Sequence, residues 1–161
     1  MSEPIGRREF MGRVIAGGIA GRLAVDARAA ETAATAPAVR KPMPHDIVTL
    51  GKSGVKPSRL GIGTGMRGWN HQSNQTRLGQ EKFTALIRHA YDAGIRYFDC
   101  ADMYGSHEFI RNAVKGLPRE KLTLLSKTFT RDAEGVRKDL ERFRKELGTD
   151  YIDVFMLHCL T

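Results

Sequence analysis

Three short apolar runs in this chain each close on a polar residue. Ile95-Arg96-Tyr97-Phe98 ends at Asp99, Leu122-Thr123-Leu124-Leu125-Ser126 at Lys127, and Tyr151-Ile152-Asp153-Val154-Phe155-Met156-Leu157 at His158. Leu60-Gly61-Ile62-Gly63 is a fourth, shorter run. Runs of this length predict strands. The segments between them have helical periodicity. Phe83, Ile87, Ala90 and Tyr91 share one face over residues 80–93, and Gly94 stands just past the end. Ser106 is placed to cap a helix running to about Val114, which Gly116 and Pro118 end. Val136, Leu140, Phe143 and Leu147 form the apolar face of a helix over 133–147, stopped by Gly148. Ahead of all this, Ile47–Leu50 and Val55–Arg59 flank the turn Gly51-Lys52-Ser53-Gly54 and predict a hairpin. Strands alternating with helices indicate a parallel α/β sheet. The unit recurs about every 30 residues, a spacing that suits a barrel and a doubly wound sheet equally. In either architecture the carboxyl ends of the strands share one rim, and ligands bind there.

Composition narrows the class. The chain has 161 residues, 41% of them hydrophobic and 27% charged, which describes one globular domain. The net charge of +8 is spread among acids without a basic block, so nothing points to nucleic acid. Cys100 and Cys159 each follow a rim residue directly. Side chains alternate along a strand, so both thiols are expected to point away from the rim and to stay free. No CxxC or other metal-ligand spacing is present, and no metal site is expected. Gly61-Ile62-Gly63-Thr64-Gly65 has part of a dinucleotide fingerprint, but Met66 to Gln72 continues as a loop where that motif needs a helix. His45, His71, His89 and His107 have no evident partners and read as surface residues, and Trp69 suits a pocket wall or a cover for the hairpin equally.

The first 45 residues follow another pattern. Arg7-Arg8-Glu9-Phe10 precedes a weakly apolar, Gly/Ala-rich stretch from Val14 to Val25, and Ala27-Arg28-Ala29 supplies an A-x-A site. The stretch is too short and polar to span a bilayer. Residues 1–30 resemble a bacterial twin-arginine signal, which implies the export machinery as a partner and a periplasmic destination. Residues 31–45, rich in Ala, Thr and Pro, read as a linker, leaving 46–161 as the folded part.

The chemistry of the rim follows from four residue types: Asp99, Tyr104, Lys127 and His158. A free phenol has a pKa near 10, too high for efficient acid catalysis at neutral pH. A neighbouring ammonium favours the phenolate, a carboxylate orients that ammonium, and an imidazole can donate to an oxygen gaining negative charge. Such a set protonates a carbonyl. No side chain delivers hydride, so a nicotinamide cofactor is implied.

Gly94-Ile95-Arg96-Tyr97-Phe98-Asp99-Cys100-Ala101 with Tyr104-Gly105, Leu125-Ser126-Lys127, Leu140-Glu141-Arg142, Leu147-Gly148-Thr149-Asp150-Tyr151-Ile152-Asp153 and Leu157-His158 occur in this order. Together they resemble the aldo-keto reductases, from about Ile47 to Thr161. The resemblance implies a (β/α)8 barrel with the hairpin plugging its bottom, of which the N-terminal hairpin and first four strands are present. It implies Tyr104 as general acid, Lys127 as the partner lowering its pKa, Asp99 as partner of Lys127 and as a cofactor neighbour, and His158 as the donor orienting the carbonyl. Thr64 and Gly65 match a segment lying along NADP (or NAD). Ile95, Tyr97, His107 and Arg111 depart from the family pattern, the last two standing for its usual Glu and Gly. The expected activity is interconversion of small carbonyls and alcohols. The alternative is a nucleotide-sensing or partner-docking module with little turnover. Since later strands hold most of the cofactor in this family, the 161-residue chain alone is expected to be inactive.

Overall fold

The computed structural model describes residues 40–159. The export signal and most of the linker expected over 1–45 therefore lie outside the described residues. Four strands form one parallel sheet: β1 Gly61–Gly63, β2 Tyr97–Asp99, β3 Thr123–Thr128 and β4 Val154–Leu157. Three helices cross between them: α1 Gln80–Asp92, α2 His107–Val114 and α3 Ala133–Leu147. The sheet order is β1-β2-β3-β4, so every strand pairs with its successor in sequence. Among the described residues, β1 and β4 each pair on one side only.

Alternation along the strands divides the side chains between two faces. Phe98 and Leu124 join Phe83, Ile87, Ile110, Ala113 and Leu147 in the core between sheet and helices. Cys100, fully buried, belongs to the same layer, and burial pushes its thiol up to about 12. That makes it an inert packing residue. Cys159 is exposed and also free. On β3, Ser126 and Thr128 reach α2 and α3, while Lys127 reaches Asp99 on the opposite face.

The helices begin and end for local reasons. The Asp132 carboxylate accepts from Gly135 N at 2.8 Å and caps α3. Gly148, at φ 65°, ends it. Ser106 stands at the cap position of α2 but makes no capping bond. Its hydroxyl lies 2.8 Å from Thr64 Oγ1 instead, tying α2 to the end of β1. The expected hairpin is present, with Arg59 N donating to Asp46 O at 2.7 Å at its open end. Val48 N donates to Pro57 O and Leu50 N to Val55 O, both at 2.9 Å, around one antiparallel bridge, Ile47 to Ser58. Pro57 has no N–H to return, which limits the ladder. Ser58 Oγ accepts from Arg96 N (2.9 Å) and Tyr97 N (3.2 Å), which fixes the hairpin at the amino end of β2. That is the end away from Asp99. No helix among the described residues is long and apolar enough to cross a membrane.

His107 corrects a sequence expectation. It is 4% exposed, not a surface residue. Its Nδ1 lies 2.6 Å from Glu146 Oε2 and its Nε2 2.7 Å from Ser126 Oγ, with the Phe143 ring 4.6 Å away. The hydrogen bond from His107, then the Arg142 guanidinium, holds the Glu146 carboxyl below the usual range against the opposing effect of burial. For Asp139, burial pushes the carboxyl up, but hydrogen bonds from Thr128, Thr130 and Arg142 outweigh it and leave it below its ordinary value. A carboxyl depressed in the folded state stabilises the fold above its ordinary pKa, and the contribution disappears as pH falls through the folded value. Melting temperatures are therefore expected to drop below about pH 4. The gap between wild type and Glu146→Gln, present near neutral pH, should close there. A gap that is constant across the acid range would contradict the assignment.

Candidate active site

Asp99 closes β2, Lys127 is the penultimate residue of β3, and His158 directly follows β4. Tyr104 ends a single 3-10 turn, Asp102–Tyr104, just beyond β2. Parallel pairing brings these strand ends to one rim, and the structure brings the four side chains together there. Lys127 Nζ donates to Asp99 Oδ1 in a close ion pair and lies 3.4 Å from both Tyr104 Oη and Cys100 O. Tyr104 Oη is in turn 3.4 Å from His158 Nε2. Burial alone would lower the Lys127 ammonium, but Asp99, through a hydrogen bond and its charge, and Tyr104 more than offset it, so the amine sits above its ordinary value. It is a fixed cation beside a phenol. His158 moves the opposite way: burial and the charge of Lys127 lower it, and Asp99 opposes. Its imidazole is neutral at pH 7.

Tyr97 is a second phenol on this face. Burial first, then Asp99, push it above its ordinary value, which disfavours it as an acid. Tyr104 differs in its seat. A Cβ at Gly65 would come within 2.3 Å of its ring, and one at Gly68 within 2.5 Å. The loop after β1 thus holds the ring against bare backbone. Gly105 serves the same packing, since a Cβ there would fall 1.9 Å from His71 O.

The two residues expected along a cofactor have defined positions. Thr64 is fully buried, and its N and Oγ1 both donate to Asp99 O, at 3.0 and 2.8 Å. Gly65 lies against Tyr104. Beside them, a Cβ at Gly63 would meet nothing within 4 Å, so there is open space next to its pairing partner Asp99. Trp69 is exposed, in a local bridge to Gln72. The sequence reading missed the seat formed by Gly65 and Gly68. It also missed Phe129, whose ring packs at a tilt against His158 with centroids 4.5 Å apart, and Arg131, which donates to His158 O at 2.5 Å. An aromatic and an arginine two and four residues past Lys127 were the available signal. Asp102, His107 and Glu146 place ligand atoms within 4.8 Å of one another, as a metal would need. The Arg142 guanidinium already pairs with Asp102 and Glu146 and supplies the positive charge there.

The chain is similar to known proteins in sequence and in fold. A sequence profile described as the Aldo/keto reductase family matches residues 59–161. The mouse protein named aldo-keto reductase family 1 member A1 is 30% identical over 115 residues, covering 66% of this chain and 32% of the relative. The 9,11-endoperoxide prostaglandin H2 reductase of Trypanosoma cruzi is 33% identical over 119 residues, covering 71% and 38%. Among solved structures, the Bombyx mori aldo-keto reductase in complex with NADP superposes with a TM-score of 0.57 at 26% identity, covering 70% of this chain and 38% of that one. This chain spans about a third of the length of the curated relatives it matches. Its four parallel strands correspond to part of the (β/α)8 barrel of these neighbours. The matched segment spans more than half of the chain and includes Asp99, Tyr104, Lys127 and His158, and the chain belongs to the aldo/keto reductase family.

Proposed function

We propose that this chain carries the proton-handling side of an NAD(P)H-dependent oxidoreductase that interconverts carbonyls and alcohols. The observation that carries the reading is the convergence of Asp99, Tyr104, Lys127 and His158 on one rim. A bound dihydronicotinamide would supply the hydride, and there is open space at Gly63, beside Asp99.

The side chains divide the remaining work. The neutral His158 ring has one N–H. Nδ1 is buried without a hydrogen-bond partner, whereas Nε2 faces Tyr104 Oη, so we assign the proton to Nε2. Tyr104 Oη and His158 Nε2 are 3.4 Å apart, so one acceptor oxygen can lie within reach of both. In reduction, the substrate carbonyl oxygen accepts from both groups, and as charge grows on it the Tyr104 proton transfers to it. The Lys127 ammonium stabilises the resulting phenolate, and Asp99 keeps Lys127 charged and aimed. Oxidation of an alcohol runs the same transfers backwards. This chain covers about a third of the length of the relatives it matches, and turnover by the 161-residue chain by itself is not expected. We further propose that the protein is exported by the twin-arginine route, on the strength of Arg7-Arg8 and Ala27-Arg28-Ala29.

The test is turnover by the intact gene product with NADPH and NADH against a panel of aldehydes, ketones and sugars. Cofactor oxidation matched one for one by alcohol formation is the expected result. Cofactor binding with no turnover across the panel would instead favour the sensing or docking alternative.

A further inference from the structure

Tyr104 does not set its own position. Its turn, Asp102–Tyr104, is closed by Tyr104 N donating to Ala101 O and Gly105 N donating to Asp102 O, both at 3.0 Å. The outer side of this turn is held by α3. Arg142 Nη1 lies 2.8 Å from Asp102 Oδ1 and Nη2 3.0 Å from Oδ2, a two-pronged contact. The same guanidinium bonds Asp139 Oδ1 at 3.0 Å and Glu146 Oε1 at 2.9 Å, on its own helix. Those partners stand three residues before it and four after, the spacing that meets on one helical face. They fix the guanidinium before it reaches Asp102. An ordinary surface ion pair is weak partly because two long side chains must be ordered for it. Here much of that ordering is already done, and the fork geometry of arginine suits a carboxylate. His71 adds to this grip: its Nδ1 lies 3.0 Å from Asp102 O and 3.7 Å from the Asp102 Oδ1 that Arg142 holds.

The contacts that Tyr104 makes leave little slack. Its hydroxyl is 3.4 Å from Lys127 Nζ and 3.4 Å from His158 Nε2, at the long end of hydrogen bonding, where a shift of a few tenths of an ångström abolishes the contact. Gly65 and Gly68 prevent the ring from moving sideways to compensate. We propose that Arg142 is a positioning residue: through Asp102 it fixes the turn that aims Tyr104 at Lys127 and His158. The proposal rests on Tyr104 being the proton donor. Arg142 touches neither substrate nor reacting atoms.

The test uses the intact gene product with Arg142→Met, Arg142→Lys, Asp102→Asn and the Arg142→Met/Asp102→Asn pair. Two quantities are measured: steady-state kcat and KM, and hydrogen exchange at the Tyr104 and Gly105 amides. Arg142→Met is expected to lower kcat about tenfold with KM within about twofold. Exchange at the two amides should rise about tenfold while the core strands keep their protection. Arg142→Lys, which keeps the charge but not the fork, should fall between. Adding Arg142→Met to Asp102→Asn should change little, because the route through Asp102 is already cut. A lowered melting temperature with unchanged kcat and unchanged exchange at these amides would overturn the proposal. Should the wild type reduce no carbonyl, the functional reading fails by itself. The exchange measurement then decides alone: faster exchange upholds the clamp and unchanged exchange refutes it.

Discussion

Replacing Tyr104 by Phe is expected to lower kcat about a thousandfold while leaving cofactor affinity within about threefold of wild type. The substitution removes one hydroxyl. The ring remains, and with it the packing against Gly65 and Gly68, so the turn has no reason to move. What disappears is the proton that the substrate oxygen takes as it becomes an alkoxide. Nothing nearby replaces it well. His158 is neutral and can donate a hydrogen bond but is a poor proton source, and the Lys127 ammonium is held above its ordinary value by Asp99. Tyr97 is pushed the wrong way by burial. Steady-state kinetics combined with fluorescence titration of NADPH separates the two effects. A Phe variant turning over within tenfold of wild type would remove Tyr104 from the mechanism.

Lys127→Met should be nearly as severe in kcat, about two orders of magnitude, and differs in also affecting stability. Lys127 has two tasks. It stabilises the Tyr104 phenolate and it neutralises Asp99 at the sheet rim. Removing the ammonium alone leaves a partly buried carboxylate without its partner, the costly half of breaking such a pair. The melting temperature is therefore expected to fall in Lys127→Met and to recover in part when Asp99→Asn is added. Activity should not recover in the double variant, because the phenolate still lacks its cation. Recovery of turnover in the double variant would show that Lys127 serves only to balance Asp99.

The parts of this molecule that could be read from sequence are those whose cause is local. The helix at 133–147 was legible because its apolar face, and Gly148 at its end, all lie within one segment. The rim residues were legible because Asp99, Lys127 and His158 stand at or beside strand ends, with Tyr104 one short turn past β2, and parallel strands bring their carboxyl ends together whatever their separation in sequence. Residues with distant partners were misread. His107 looked like a surface histidine because Ser126 and Glu146 are 19 and 39 positions away. Its only signal was that it departs from the family pattern. Ser106 was assigned a cap from its position, but Thr64, 42 residues earlier, takes its hydroxyl. The pair Arg142 and Asp102, 40 residues apart, had no local trace at all. The hairpin was recognisable from its turn, but Pro57 removes a donor its ladder would need.

The pairing of each strand with its immediate successor has a consequence for synthesis. Such a sheet can be laid down vectorially, one strand–helix unit at a time as the chain emerges, without waiting for any distant partner. The order in which the rim is populated then follows the order of translation: Asp99 and Tyr104 first, Lys127 next, His158 last. Register decides whether the result works. A slip of β3 by one residue would turn Lys127 into the helical layer and bring Ser126 or Thr128 to the rim, leaving Asp99 and Tyr104 without a cation. The ion pair between Asp99 and Lys127 is therefore specific to this register. It closes only when the second and third strands have met in the alignment that chemistry requires.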